Sequence, residues 1–299
     1  MALFTIYTYL FSPVTERRQE DLFAPPLPGS PASSAAGAYE KRHARLEVLF
    51  PLSAEAFFLR TRKKVYACKL LARRDGILIF RIANSRKWKH ELDFREFDDR
   101  DEPSCLVIMD NREEGLQSIC IQNKQKAFST TRQVARILEE AFNLHLEPSR
   151  LRVGIKEQYH TSEFWQAVDK HTEGIAWVEF HFPYPNLPQL SDKVAFVKQL
   201  AQETNSEPTI RLNGQNGETV LVDKQLEFIV RAVEYCAASG RPILLKPKGG
   251  RKVEVGTLRP VREELPDAVF EKLGETDLFD TRLEPVTEFL NKIRQWYDA

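Results

Sequence analysis

The stretch Lys64-Val-Tyr-Ala-Cys-Lys-Leu-Leu-Ala-Arg-Arg-Asp75-Gly76-Ile-Leu-Ile-Phe-Arg-Ile82 sets two apolar runs, 64–73 and 77–82, around an Asp-Gly pair. Asp-Gly between extended runs is a strong hairpin signal, because a tight two-residue turn needs positive φ at both central positions. The same pattern recurs downstream. Residues 105–109 and 116–121 flank Asp110-Asn-Arg-Glu-Glu-Gly115, which reads as a longer hairpin loop. The charged segment 84–102 between the two hairpins reads as a loop or a ragged edge. Together, residues 46–121 predict an antiparallel sheet. The alternation at 3–10 adds a further strand, which has no neighbour close in sequence and must pair with a strand downstream. Residues 12–39 separate it from the rest. They include Pro-Pro-Leu-Pro-Gly-Ser-Pro-Ala-Ser-Ser-Ala-Ala-Gly-Ala at 25–38, a composition expected to form a mobile loop.

The second half alternates between element types. Residues 129–143 predict a helix capped by Ser129 or Thr130, with Val134, Ile137, Leu138 and Phe142 on its apolar face. Strands are expected at 151–157, 175–182, 209–212 and 219–222, and helices at 162–170, 191–204, 224–239 and 284–297. Leu226, Ile229, Val230 and Val233 are expected to point inward from the 224–239 helix, and Gly240 to close it. Strands first and mixed elements later predict an α+β fold, with a strand-rich antiparallel N-terminal part followed by a mixed helix/strand C-terminal part. The expected organisation is a lobe over 1–125 and a second over 126–299.

The chain has 299 residues, 42% of them apolar, which supports a real core. Lys and Arg total 43, as do Asp and Glu, so the net charge is zero. The charge is unevenly spread. From Glu263 onward ten acids face four bases, whereas residues 241–262 carry seven Lys/Arg and one acid, Glu254. That basic stretch runs Arg241-Pro-Ile-Leu-Leu-Lys246-Pro-Lys248-Gly249-Gly250-Arg251-Lys252-Val-Glu-Val-Gly256. Gly-Gly between short apolar runs predicts a hairpin over 241–256 with cations at its tip. Such a tip suits a polyanion, and nucleic acid is the first candidate. It also suits an edge hairpin whose lysines block strand pairing. Arg241, Lys246, Lys248, Arg251 and Lys252 are therefore the primary candidate nucleic-acid-binding residues. A second basic cluster, Arg60, Arg62, Lys63 and Lys64, would assist if the fold made one continuous groove. Trp88, within Arg86-Lys87-Trp88-Lys89-His90, could stack on a base, although a tryptophan packed on the sheet is the simpler reading.

Signatures of catalysis are lacking. There is no Gly-x-Gly-x-x-Gly, no Walker loop, no Gly-x-Ser-x-Gly and no His-Glu-x-x-His. The acids between Asp93 and Glu102 lack the spacing of a hard-cation loop. Cys68, Cys105, Cys120 and Cys236 are scattered, which argues against a zinc site or a disulfide framework. Neither a cofactor nor a metal is expected. No apolar run approaches a membrane span, so a cytoplasmic location is expected.

The order of elements over 77–182 runs Ile-Leu-Ile-Phe-Arg-Ile with Asn-Ser-Arg, then Ser-Cys-Leu-Val-Ile-Met-Asp, Thr-Thr-Arg-Gln, Leu-Arg-Val-Gly-Ile-Lys and Gly-Ile-Ala-Trp-Val-Glu-Phe. In layout it resembles the prophage exclusion protein RexA and the related B subunit of the Kiwa anti-phage system. The resemblance implies a sequence-tolerant DNA-binding protein of antiviral defence, a dimer and not an enzyme; it carries over no individual residue. A metal-dependent nuclease or toxin effector is one alternative. Another is an interaction or sensor subunit of a defence complex, docking through the acidic C-terminal segment and Trp296-Tyr297.

Overall fold

The computed structural model describes residues 1–14, 39–51, 56–92, 95–113, 115–182, 206–256, 259–271 and 283–298. The Pro/Ala/Ser segment and the helix expected at 191–204 lie outside the described residues. In chain order the elements are β1 (Ala2–Pro13), α1 (Arg42–Glu47), β2 (Ala56–Arg60), β3 (Val65–Arg74), β4 (Ile77–Ala83), β5 (Arg86–Leu92), β6 (Arg95–Asp101), β7 (Ser104–Asp110) and β8 (Ser118–Gln122). There follow α2 (Thr131–Leu146), β9 (Leu151–Glu157), α3 (Ser162–Asp169), β10 (Ile175–His181), β11 (Thr209–Asn213), α4 (Glu227–Ser239), β12 (Ile243–Pro247), β13 (Val253–Val255), β14 (Arg262–Leu265), α5 (Ala268–Glu271) and α6 (Glu284–Asp298). The fold is α+β, with antiparallel pairing throughout the described sheets.

β1 organises the molecule. One of its edges pairs with β8, and the other pairs first with β14 and then with β9. Beyond β8 the sheet continues through β7, β4, β3 and β2 to complete eight strands. Its strands are apolar on both faces because both faces are covered. Tyr7, Tyr9 and Phe11 of β1, Leu78 and Phe80 of β4, and Val107 and Met109 of β7 join the core on one side. Phe4, Ile6, Ile77, Ile79, Leu106 and Ile108, offset by one residue, join the core on the other. This period-two division explains why residues 77–80 and 105–109 read as continuous apolar runs.

On the first face lies α2. Thr130 caps it by accepting from the Gln133 backbone N–H at 3.3 Å, and Val134, Ile137, Leu138 and Phe142 are buried as expected. α2 contacts both β9 and β2, which lie at opposite edges of the sheet, so the sheet curls around the helix. The second face carries a four-stranded sheet, ordered β11-β10-β12-β13, together with α4 and α6.

Four details depart from expectation. The charged segment 84–102 is not a loop: β5 and β6 pair in full register from Arg86↔Asp101 to Leu92↔Arg95. Residues 219–222 form no strand, only a single bridge between Val220 and Ile175. Leu226 is exposed, because α4 starts at Glu227, three residues later than expected. The chain also forms the short helix α1, which no pattern had marked. The described part of the acidic tail packs on β1 and reaches β14. Phe289 of α6 meets Phe4 of β1, and Lys292 bonds Glu263 of β14 at 2.8 Å.

A buried polar knot fastens α1 to the sheet. Asn111 Oδ1 accepts from the Tyr9 hydroxyl at 2.7 Å and from His43 Nδ1 at 2.9 Å, and Asn111 Nδ2 donates to the His43 carbonyl at 3.1 Å. Burial first, then the Arg42 charge, lower the His43 pKa, outweighing the opposing Asn111 bond and Glu113 charge. A depressed histidine contributes stability above its unfolded pKa of about 6.5 and loses it as pH falls through the folded value. The urea midpoint should therefore hold from pH 8 to 7 and fall as pH drops below about 6.5. A His43→Gln variant, weaker overall, should lose that component of the pH profile. An unchanged profile in the variant would show that His43 is not its source.

Candidate nucleic-acid interface

The predicted basic hairpin forms. Ile243, Leu244 and Leu245 of β12 pair with Val255, Glu254 and Val253 of β13. Ile243 and Leu245 are buried, which anchors the strand and leaves the intervening positions outward. The turn closes where Gly250 N–H donates to the Pro247 carbonyl at 3.1 Å. Gly249, third in that turn, has φ +72°, a conformation that glycine adopts without steric cost. The Lys248 N–H donates to the Gly174 carbonyl at 3.0 Å, tying the tip to the loop before β10. At the base, the Tyr159 hydroxyl donates to the Arg241 carbonyl at 2.7 Å.

Lys246, Lys248, Arg251 and Lys252 are all exposed. Among the described residues none of the four makes an ion pair. Two acids lie nearby: Glu254 on β13, and Glu173, whose carboxylate borders Gly249. Arg241 differs from the other four. It is half-buried and bonds Glu207 at 2.7 Å, so it fixes the base of the hairpin instead of offering a free charge.

The second cluster is divided among roles. Arg60 and Lys63 are exposed. Lys64 Nζ donates to Asn84 Oδ1 and to the Ser85 carbonyl, each at 3.0 Å, and sits 5.1 Å from the Tyr66 ring centre. Its ammonium holds the β2–β3 turn to the end of β4. The Arg62 backbone N–H donates to Glu140 of α2 at 2.8 Å. Its side chain lines a cleft of ≈ 690 Å³ with Arg136, Arg150, Arg152, Glu139 and Glu140. The β2–β3 turn thus belongs to the α2 side of the large sheet, whereas the hairpin belongs to the layer on the opposite face. The two clusters do not merge into one groove. The side chains of Trp88 and of Trp296 and Tyr297 lie outside the described residues.

Beside the hairpin lies a surface the sequence reading passed over. Val178 and Phe180 of β10 are buried, so Trp177, Glu179 and His181 project from the other face. The same parity puts Arg211 of β11 outward, with Ile210 and Leu212 packed on the core. The Arg211 guanidinium lies 3.9 Å from the Trp177 ring centre. Lys246 is the register partner of Trp177 on the neighbouring strand. His181 pairs with Glu179 at 3.2 Å beside a cleft of ≈ 360 Å³ that Lys252, Leu244 and Glu254 also line. The apolar–polar alternation of 175–182 held this signal, since a strand with one core face must show its other residues outward.

The cysteines are free and buried, and burial pushes the Cys68, Cys105 and Cys236 thiols up to about 12, away from reactive thiolate. Among the described residues no three His, Cys, Asp or Glu side chains converge as metal ligands. Also among them, no helix is long and apolar enough to cross a membrane. No family model, curated protein or solved structure matches this chain.

Proposed function

We propose that this chain binds nucleic acid, DNA foremost, without reading its sequence, through the tip of the β12–β13 hairpin. The observation that carries the reading is the set of four exposed cations, Lys246, Lys248, Arg251 and Lys252, free of ion pairs among the described residues and mounted on a hairpin anchored by buried Ile243 and Leu245. An anchored backbone removes the cost of ordering a loop when the cations meet phosphates, leaving only the side chains to be ordered. Contacts to phosphate fix position but carry no base information, so sequence tolerance follows. Arg241 positions the hairpin, and Arg60, Arg62 and Lys63 are at most a separate, auxiliary contact. The layout resemblance to the RexA and Kiwa B-subunit type supports placing this activity in cytoplasmic anti-phage defence of the prophage-exclusion or abortive-infection kind. There the chain would act as a dimer or beside a second subunit.

A titration of labelled double- and single-stranded DNA and RNA, at 50 and 200 mM salt with Mg²⁺ present, tests the reading. Neutralising about four phosphates predicts that this fourfold rise in salt weakens duplex binding by roughly a hundredfold, with the nucleic acid left intact. Cleaved product would replace the binder with a nuclease. No binding at 50 mM would remove nucleic acid as the ligand and favour a protein partner.

A further inference from the structure

We propose that the outer face of the β11-β10-β12-β13 sheet takes unpaired nucleotides, with a base stacked on Trp177 and the neighbouring cations on its phosphates. The inference rests on the nucleic-acid reading above and names the form of nucleic acid that this face selects. A tryptophan on the outward face of a half-buried sheet needs a reason, since the inner face already supplies the core through Val178, Phe180, Ile210 and Leu212. Trp177 is only partly buried, and its described partner is a cation, Arg211, over the ring. An exposed cation–π contact is weaker than a base stacked on an indole. A base can therefore displace the guanidinium, which is released to bond phosphate with its planar fork. Lys246 stands directly across from Trp177, one strand away, and Lys248 follows it toward the tip.

The charge of the face favours a polyanion. Arg211, Lys246, Lys248 and Lys252 are exposed cations around Trp177, against Glu179 and Glu254 on the same face and Glu173 at the tip, so cations outnumber acids. Aromatic and cationic residues presented together on an antiparallel sheet are a general means of holding splayed bases without sequence preference. Duplex DNA buries its base faces in its own stack and cannot use Trp177, though it can still use the hairpin charges.

The test compares a labelled 20-mer of oligo-dT with a labelled 20-base-pair duplex, binding the full-length chain. Trp177→Ala should weaken oligo-dT binding at least tenfold and duplex binding less than twofold. Trp177→Phe, which keeps a stacking ring, should stay within about threefold of the native protein on both probes. On the unaltered protein, ultraviolet cross-linking of oligo-dT carrying 5-iodouracil should map to the β10 peptide that contains Trp177. That arm decides the matter even where the alanine variant fails to fold. Equal losses on both probes, no loss on oligo-dT, or a cross-link mapping elsewhere would overturn the inference. If hairpin-dependent duplex binding persists while oligo-dT binding ignores Trp177, only this inference falls. If the native protein binds neither probe, the nucleic-acid reading falls with it.

Discussion

Exchanging Lys246, Lys248, Arg251 and Lys252 together for Glu should abolish DNA binding while leaving the protein folded. Each exchange shifts the local charge by two units, so the tip moves from four cations to four anions, a swing of about eight unit charges at the phosphate-facing surface. Loss of the phosphate contacts alone would weaken binding by roughly a hundredfold at moderate salt, and repulsion adds to it, so the expected loss is at least about a thousandfold. The fold should survive because none of the four belongs to either core cluster. Exposed positions outside caps and cores usually change stability by about 0.5 kcal/mol or less. Some extra cost will come from Glu173 and Glu254, which would then face like charges. Single exchanges grade the effect. Lys246→Ala should lower the slope of log affinity against log salt by about one, uniformly across sequences. Anisotropy titrations of the native protein and of each variant, with circular dichroism of each, provide the check. A fourfold variant that is folded and binds duplex DNA as the native protein does would remove the hairpin as the binding surface.

The fold class was legible because hairpin chemistry is local. Asp75-Gly76 and Gly249-Gly250 announce their turns within two residues, and β3, β4, β12 and β13 follow from the apolar runs beside them. What covers each sheet face was not legible. It depends on α2 packing on one face and on the β11-β10-β12-β13 sheet, α4 and α6 packing on the other, and on β14 and β9, distant in sequence, extending the sheet along one edge of β1. The helix α1 escaped notice because it lacks an apolar stripe of its own. It is held through His43 and Glu47 to Asn111, side chains whose partnership spans more than 60 positions. The β5–β6 ribbon escaped for a like reason: strand periodicity is invisible where the residues are mostly charged. At the site, the exposed cations were found by composition, but their division of labour was not. Nothing in the order of residues shows that Arg241 turns to Glu207 or Lys64 to Asn84 while Lys246 stays free. Trp177 lay within reach of simple alternation, but its meaning depends on Arg211 and Lys246 arriving from two other strands.

The last expectation concerns what holds the basic hairpin at its angle. Tyr159 is almost fully buried and touches both ends of the hairpin segment. Its hydroxyl holds the Arg241 carbonyl where the chain enters β12, and its ring lies against Gly256 where the chain leaves β13. A Cβ on Gly256 would stand 2.4 Å from Tyr159 Cε1 and 2.5 Å from Cζ, inside any tolerable contact. Gly256 also has φ +96°, which a residue with a side chain adopts only under strain. Backbone strain and overpacking each cost about 1–3 kcal/mol, so Gly256→Ala should destabilise the protein by roughly 2–6 kcal/mol in urea unfolding. The ring cannot retreat cheaply, because the Tyr159 backbone is bridged to Pro260 and its N–H reaches the Ala237 carbonyl. Tyr159→Phe keeps the ring and removes only the hydroxyl bond, so it should cost about 1 kcal/mol. Tyr159→Ala is damaging alone, but combined with Gly256→Ala it should cost less than the two separate losses summed, because the collision is gone. Strict additivity would mean that ring and glycine do not press on each other, and that the hairpin takes its orientation from β10 pairing alone. Below its melting temperature, Gly256→Ala should also bind DNA more weakly than Tyr159→Phe, since the cations remain but the frame that aims them is bent.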